Sequence, residues 1–134
     1  MPLESVVNAL HRIHSAIIPG GLVLDVQPVG PAPPVESNGQ RLGSLDMREW
    51  RVTIDHVAAL VDETIAKGLF AEEAERRYEI LETFDDGKEL VETVREWTGT
   101  TISQTLAARV ERAMPPLTIQ ESVRLRALRA LRAL

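Results

Sequence analysis

Apolar positions along this chain follow two periods, and the switches between them mark its elements. Leu3, Val6, Val7, Leu10, Ile13, His14 and Ile17 recur at helical spacing, with Glu4, Asn8 and Arg12 off that face. This predicts a helix over 3–17, stopped by Pro19, with Gly20-Gly21 free to make a sharp corner. Leu22-Val23-Leu24-Asp25-Val26 is short and nearly all apolar, which predicts a strand over 22–27 covered on both faces.

Pro28, Pro31, Pro33 and Pro34 stiffen the next stretch. Asn38-Gly39 is a two-residue hairpin signal, with arms near 35–37 and 40–42 that are too short to stand alone and are expected to lie on the body as a flap. Asp46 followed by Glu49 has the form of a capping box. Trp50, Ile54, Val57, Val61 and Ile65 then form one stripe, and Gly68 supplies a stop. That predicts a helix over 46–67, about 33 Å long.

Residues 74–84 carry good helix formers, but Tyr78, Ile80, Glu82 and Phe84 alternate with Arg77, Glu79, Leu81 and Thr83. The alternation predicts a strand over 75–84. Asp86 and Glu89 repeat the capping-box pattern before a helix over 87–97, and Ile102, Leu106, Val110 and Met114 mark another over 103–114, ended by Pro115-Pro116. Val123 and Leu125 alternate with Arg124 and Arg126, which predicts a strand over 118–128. Arg-Ala-Leu then repeats through 126–134 with a period that suits neither strand nor helix, so this tail is expected to fray or to form a short helix.

Composition narrows the picture. With 134 residues the chain suits one domain, 1–134, and 44% apolar residues give an ordinary globular core. Aromatics are only 4%, so that core must be aliphatic. There is no cysteine, which excludes disulfides and thiolate chemistry and fits a reducing cytoplasm. No apolar run approaches a membrane span, and the N-terminus lacks the pattern of a signal peptide. The net charge is −5, but four arginines against Glu121 alone leave +3 over 121–134, so the other 120 residues carry −8. An acidic body argues against nucleic acid as a partner, and the basic tail reads as a solvated face.

Candidate chemistry is sparse. His11 and His14 are spaced i, i+3 but have no third ligand nearby, so a packing role is favoured over a metal site. No HExxH, GxSxG or phosphate-binding GxxxxGK[ST] pattern occurs. Asp85 and Asp86 precede a helix and read as caps. Asp25 stands apart, because it lies near the carboxyl end of an apolar strand, where ligands bind in open α/β sheets.

The run Ala9-Leu10-His11-Arg12-Ile13-His14-Ser15-Ala16-Ile17-Ile18-Pro19-Gly20-Gly21-Leu22-Val23-Leu24-Asp25 resembles the helix, Pro-Gly-Gly corner and fifth strand of class I S-adenosylmethionine-dependent methyltransferases. The resemblance implies a partial Rossmann-like α/β fold with a small mixed sheet. Strands at 22–27, 75–84 and 118–128 would stand for the family's fifth, sixth and seventh, the seventh antiparallel between the other two. It also places the loop after Val26 on the substrate side, making Asp25 and Gln27 candidates for substrate contact. The family's glycine-rich cofactor turn and ribose-binding acid have no counterpart here, because the match begins at its fourth helix. No cofactor-binding residue carries over, and S-adenosylmethionine is expected only if another half completes the fold.

A strand that is internal in the complete fold would then have an open edge. This leads to the expectation of a non-catalytic association module, a homodimer through helix 3–17 and strand 22–27. Two other readings stay open: the C-terminal part of an active methyltransferase completed by a separate N-terminal half, and a helical dimerisation or regulatory domain if 70–84 is helical.

Overall fold

The computed structural model describes residues 12–14 and 16–131. Residues 12–14 and 16 are helical and Ile17 is a bend; residues 3–11, including His11, and 15 of the helix expected over 3–17 lie outside the described residues. The strands are β1 (Leu22–Val29), β2 (Pro34–Ser37), β3 (Gln40–Ser44), β4 (Phe70–Phe84) and β5 (Leu117–Ala130). The longer helices are α1 (Arg48–Ala66), α2 (Gly87–Arg95) and α3 (Gln104–Arg112). Together they form an α/β structure on an open five-stranded sheet in which β1, β2 and β4 all pair with β5, and β3 pairs with β2. Neighbouring strands are antiparallel, so the expected mixed sheet is corrected to an antiparallel one. No helix among the described residues is long and apolar enough to cross a membrane.

The chain gathers into two compact units, one of residues through Gln27, Thr53–Arg77 and Arg124 onward, the other of Pro28–Val52 and Tyr78–Val123. In the first unit, Ile17 N–H closes a helical turn on Ile13 O (2.9 Å), and Gly21 N–H bonds Ile18 O (2.9 Å) as the chain rounds the corner. Ala130 then bonds Gly20 and Gly21 through both its backbone groups (2.9 and 2.8 Å), whereas Leu131 N–H bonds Leu69 O (2.9 Å). Successive residues of an extended chain direct their backbone groups to opposite edges, so β1 and β4 flank β5 on opposite sides.

Val61, Phe70, Leu128 and Ala130 are the buried core of this unit, with Val23, Val57 and Ile65 packed against them. Four positions of the stripe expected on α1 therefore face inward as expected, Ile54 being buried as well. Gly68, at φ +79°, ends the helix with its N–H on Ile65 O and that of Leu69 on Thr64 O, both at 3.0 Å.

β1 corrects one expectation. Val23, Asp25 and Gln27 are half-buried, but Leu22, Leu24 and Val26 are 46%, 57% and 49% exposed. The strand is covered on one face only. The alternation was hidden because the open face, Leu22, Leu24 and Val26, is the more apolar one, while the closed face carries Asp25 and Gln27 beside Val23.

β4 confirms strand over helix at the ambiguous segment and begins at Phe70, five residues before the expected start. The C-terminal tail is also corrected. It continues β5 to Ala130, neither frayed nor helical, while 132–134 lie outside the described residues. A three-residue repeat on a two-residue period alternates faces. Arg126 turns inward, only 5% exposed, and donates to Asp62 Oδ1 (2.8 Å) and Glu72 Oε1 (3.1 Å). Arg129 turns the other way and meets both carboxylate oxygens of Glu73 at 2.7 Å. Arg126 and Arg129 are thus ion-paired on the strand and do not form a solvated face.

In the second unit, Asn38 (φ 50°) and Gly39 (φ 83°) form the expected hairpin turn between β2 and β3. The hairpin is no flap. Val35 is fully buried and pairs with Ile119 of β5, and Ser37 Oγ donates to Met114 O (2.6 Å). Two short arms gain their stability from the third strand. Val35, Leu45, Phe84, Leu90, Val94, Val110 and Ile119 belong to one core closed by α2 and α3.

Asp86 and Ser103 cap those two helices through Glu89 N–H (2.8 Å) and Leu106 N–H (3.1 Å). Glu89 reaches back, but to Asp85 N–H (3.2 Å). At Asp46 the expected box is only half made. The helix starts at Arg48, whose backbone N–H (3.0 Å) and guanidinium both bond the Asp46 carboxylate.

Candidate functional site

The residues singled out from the sequence, Asp25 and Gln27, sit two apart on the closed face of β1. Gln27 Nε2 donates to Asp25 Oδ1 (2.9 Å), while Asp25 Oδ2 is buried with no hydrogen-bond partner. Val23, on that same face, packs with Leu128 and Ala130 of β5. Arg124 shares the face with them by the two-residue period, and its Nε and Nη2 are also buried without partners. The first unit therefore holds one free carboxylate oxygen and one partly unused guanidinium on one covered face. In the sequence Arg124 entered only the charge balance and the strand alternation; its place two residues from Arg126 on that strand was the available signal.

The second unit contains a cavity of about 220 Å³ that sequence reasoning did not find. Its apolar walls come from Pro28, Pro33 and Met47, and both tryptophans of the chain, Trp50 and Trp97, line it. Trp50 is in the first turn of α1, where its N–H bonds Gly99 O (3.0 Å). Trp97 follows the last turn of α2, its N–H on Val94 O (3.0 Å), and packs against the core. The loop that bears Thr98 and Thr100 is clamped beside α1, because Asp46 and Thr101 exchange both backbone hydrogen bonds at 2.8 Å.

Glu121 and Ser122 of β5 complete the cavity. Burial first, and then repulsion from Glu82, push the Glu121 carboxyl above the usual glutamate range. No arginine, lysine or histidine lines the cavity, and Glu121 has no ion-pair partner among the described residues. The sequence had placed Trp50 on a packing stripe and Trp97 at a helix end. Only a fold that brings β5 to the same cavity as both tryptophans puts an acid among its walls.

A second, more open hollow of about 430 Å³ is lined by Asp46, Arg48, Glu49, Gly99 and Thr101. Its main charges already satisfy each other in the Asp46–Arg48 pair (2.7 Å). His14 is engaged structurally, with Nε2 on Leu131 O (3.0 Å) and its ring edge-on to Phe70 at 5.4 Å. His56 is exposed on α1. No cluster of three or more metal-ligating side chains occurs among the described residues.

Comparison with known proteins found no match to a family model, to a curated protein or to a solved structure.

Proposed function

We propose that this chain is an association module built like the C-terminal half of a class I S-adenosylmethionine-dependent methyltransferase, not catalytic by itself and without its own cofactor site. The observation that carries the proposal is β1, an edge strand whose open face is the apolar row Leu22, Leu24 and Val26. Such a row beside backbone groups that have no partner among the described residues favours pairing with another chain. The order β1–β5–β4 supports the methyltransferase-like part of the reading, since that resemblance places an antiparallel seventh strand between the fifth and sixth. The module forms a symmetric homodimer through β1 and the helix before it.

Sedimentation at micromolar concentration tests this. A dimer is expected, and a stable monomer overturns it. Calorimetric titration with S-adenosylmethionine is expected to give no heat of binding; binding at tens of micromolar would contradict the absence of a site.

The free edge of β1 also favours a second occupant, because the complete fold places another strand there. In that reading the chain is the C-terminal part of a methyltransferase, and Asp25 and Gln27 lie on its substrate side. Co-purification with a chain carrying a strand followed by a glycine-rich turn would replace the homodimer by this assembly. The helical regulatory reading loses its premise, because 70–84 is a strand.

A further inference from the structure

We propose that the cavity between Trp50, Trp97 and Glu121 binds a small organic cation, an alkylammonium ion about the size of choline.

Three features select this class. The first is the walls: two indoles, Met47 and prolines give an apolar lining with polarizable faces. Tryptophan is the aromatic side chain that attracts a cation most strongly over its face. The second is charge. Among the described residues Glu121 is the one ionisable side chain lining the cavity, and none of the others there compensates its negative charge. Glu82 adds a second negative charge close enough to raise the Glu121 carboxyl. An anionic ligand would face repulsion without any compensating donor of positive charge, and a neutral apolar ligand would leave the carboxylate partly desolvated and unpaired. A cation with methyl or methylene groups satisfies both the carboxylate and the indoles.

The third feature is size and order. About 220 Å³ is below the range of roughly 300–1,000 Å³ typical of drug-sized ligands, so the occupant is small. The walls are held in place before any ligand arrives. The Trp50 N–H is bonded to Gly99, Cβ of Trp50 lies 3.0 Å from where a Cβ on Gly99 would stand, and the loop beyond is clamped by the Asp46–Thr101 bridge. A pre-formed site loses little freedom on binding. Thr98, Thr100 and Ser122 contribute hydroxyls to the lining that suit a ligand with one polar arm, as choline has.

The inference does not depend on the association proposal, since every lining residue belongs to the second unit. Both tryptophans report on the cavity, so their fluorescence can be titrated directly with choline chloride, with 3,3-dimethylbutan-1-ol as the uncharged isostere. Saturable quenching by choline is expected, with the isostere binding about tenfold more weakly. Glu121→Gln, which keeps the shape of the side chain, is expected to weaken choline about tenfold while leaving the isostere unchanged. Trp50→Leu is expected to weaken choline in calorimetry, with circular dichroism checking that the fold survives. The proposal is overturned if choline fails to saturate up to about 10 mM, or if choline and its isostere bind equally. It is equally overturned if Glu121→Gln binds choline as well as the parent does.

Discussion

β1 and β4 both pair with β5, on opposite sides of it, and each leaves its other edge without a partner among the described residues. They dress those edges in opposite ways. β1 turns Leu22, Leu24 and Val26 to the outside. β4 carries Glu72, Glu73, Glu75, Arg76, Arg77, Glu79 and Glu82, seven charged residues in fifteen, and is exposed over most of its length. An incoming strand at β4 would have to bury charges of both signs, whereas one at β1 would remove apolar surface from water. The charges of β4 also secure it inward. Glu72 and Glu73 meet Arg126 and Arg129 of β5, and Glu79 accepts from the side chain of Gln120. One edge is closed by its own chemistry; the other is left for a partner.

The sharpest way to break the comparison is a charge on β1. Leu24→Lys places an ammonium in the middle of the exposed row and is expected to weaken the dimer about a hundredfold in sedimentation, with the monomer still folded. The matched control is Leu81→Lys on β4, a residue that is 60% exposed. It should leave the association unchanged. If Leu81→Lys dissociates the dimer and Leu24→Lys does not, the roles of the two edges are reversed.

Next in size is Arg126→Met. It removes the guanidinium that ties Asp62 of α1 and Glu72 of β4 to β5. Breaking a buried pair costs about 3–5 kcal/mol when the partner charges stay buried. Asp62 is itself 66% exposed, so the loss should fall at about 3 kcal/mol or slightly less, read from the urea midpoint. Arg129→Met should shift that midpoint less, because its pair with Glu73 lies in solvent, and added salt should shrink the difference further.

How much of this was legible in the sequence follows the same divide. Elements declared by local chemistry came through nearly whole. Asn38-Gly39 needs positive φ at both positions, and Asp86 can satisfy a free N–H three residues on, whatever surrounds it. What depended on neighbours distant in the chain did not. The open face of β1 was invisible because Leu22 and Leu24 are equally at home buried. The inward turn of Arg126 required knowing that Asp62 and Glu72 would stand opposite it. The pairing of β2 with β5 joins residues eighty or more apart, and the Trp50–Trp97–Glu121 cavity gathers α1, the end of α2 and β5. Asp25 and Gln27 were named from the sequence one by one as candidates for substrate contact, and the structure adds their mutual hydrogen bond and Arg124 on the same face.

The charges that protect β4 carry one local cost, and it gives the smallest effect. Glu82 lies near Glu121, and burial together with that repulsion holds the Glu121 proton to higher pH in the folded chain than in the unfolded one. The folded state therefore binds more protons over a window that opens at the ordinary glutamate value near 4.5 and closes at the raised one. Stability contributed at this site falls as pH rises through that window. Below the window the carboxyl is protonated in both states, and Glu121→Gln should melt with the parent protein. Above it the parent bears the full cost of a desolvated carboxylate facing Glu82, and Glu121→Gln should melt higher. Glu82→Gln removes only the repulsion and should recover the lesser part of the difference, since burial is the larger cause. Thermal melts of the three proteins at acid and at neutral pH decide it. An equal offset at both pH values would place the effect in packing and free the β4 charges of this cost.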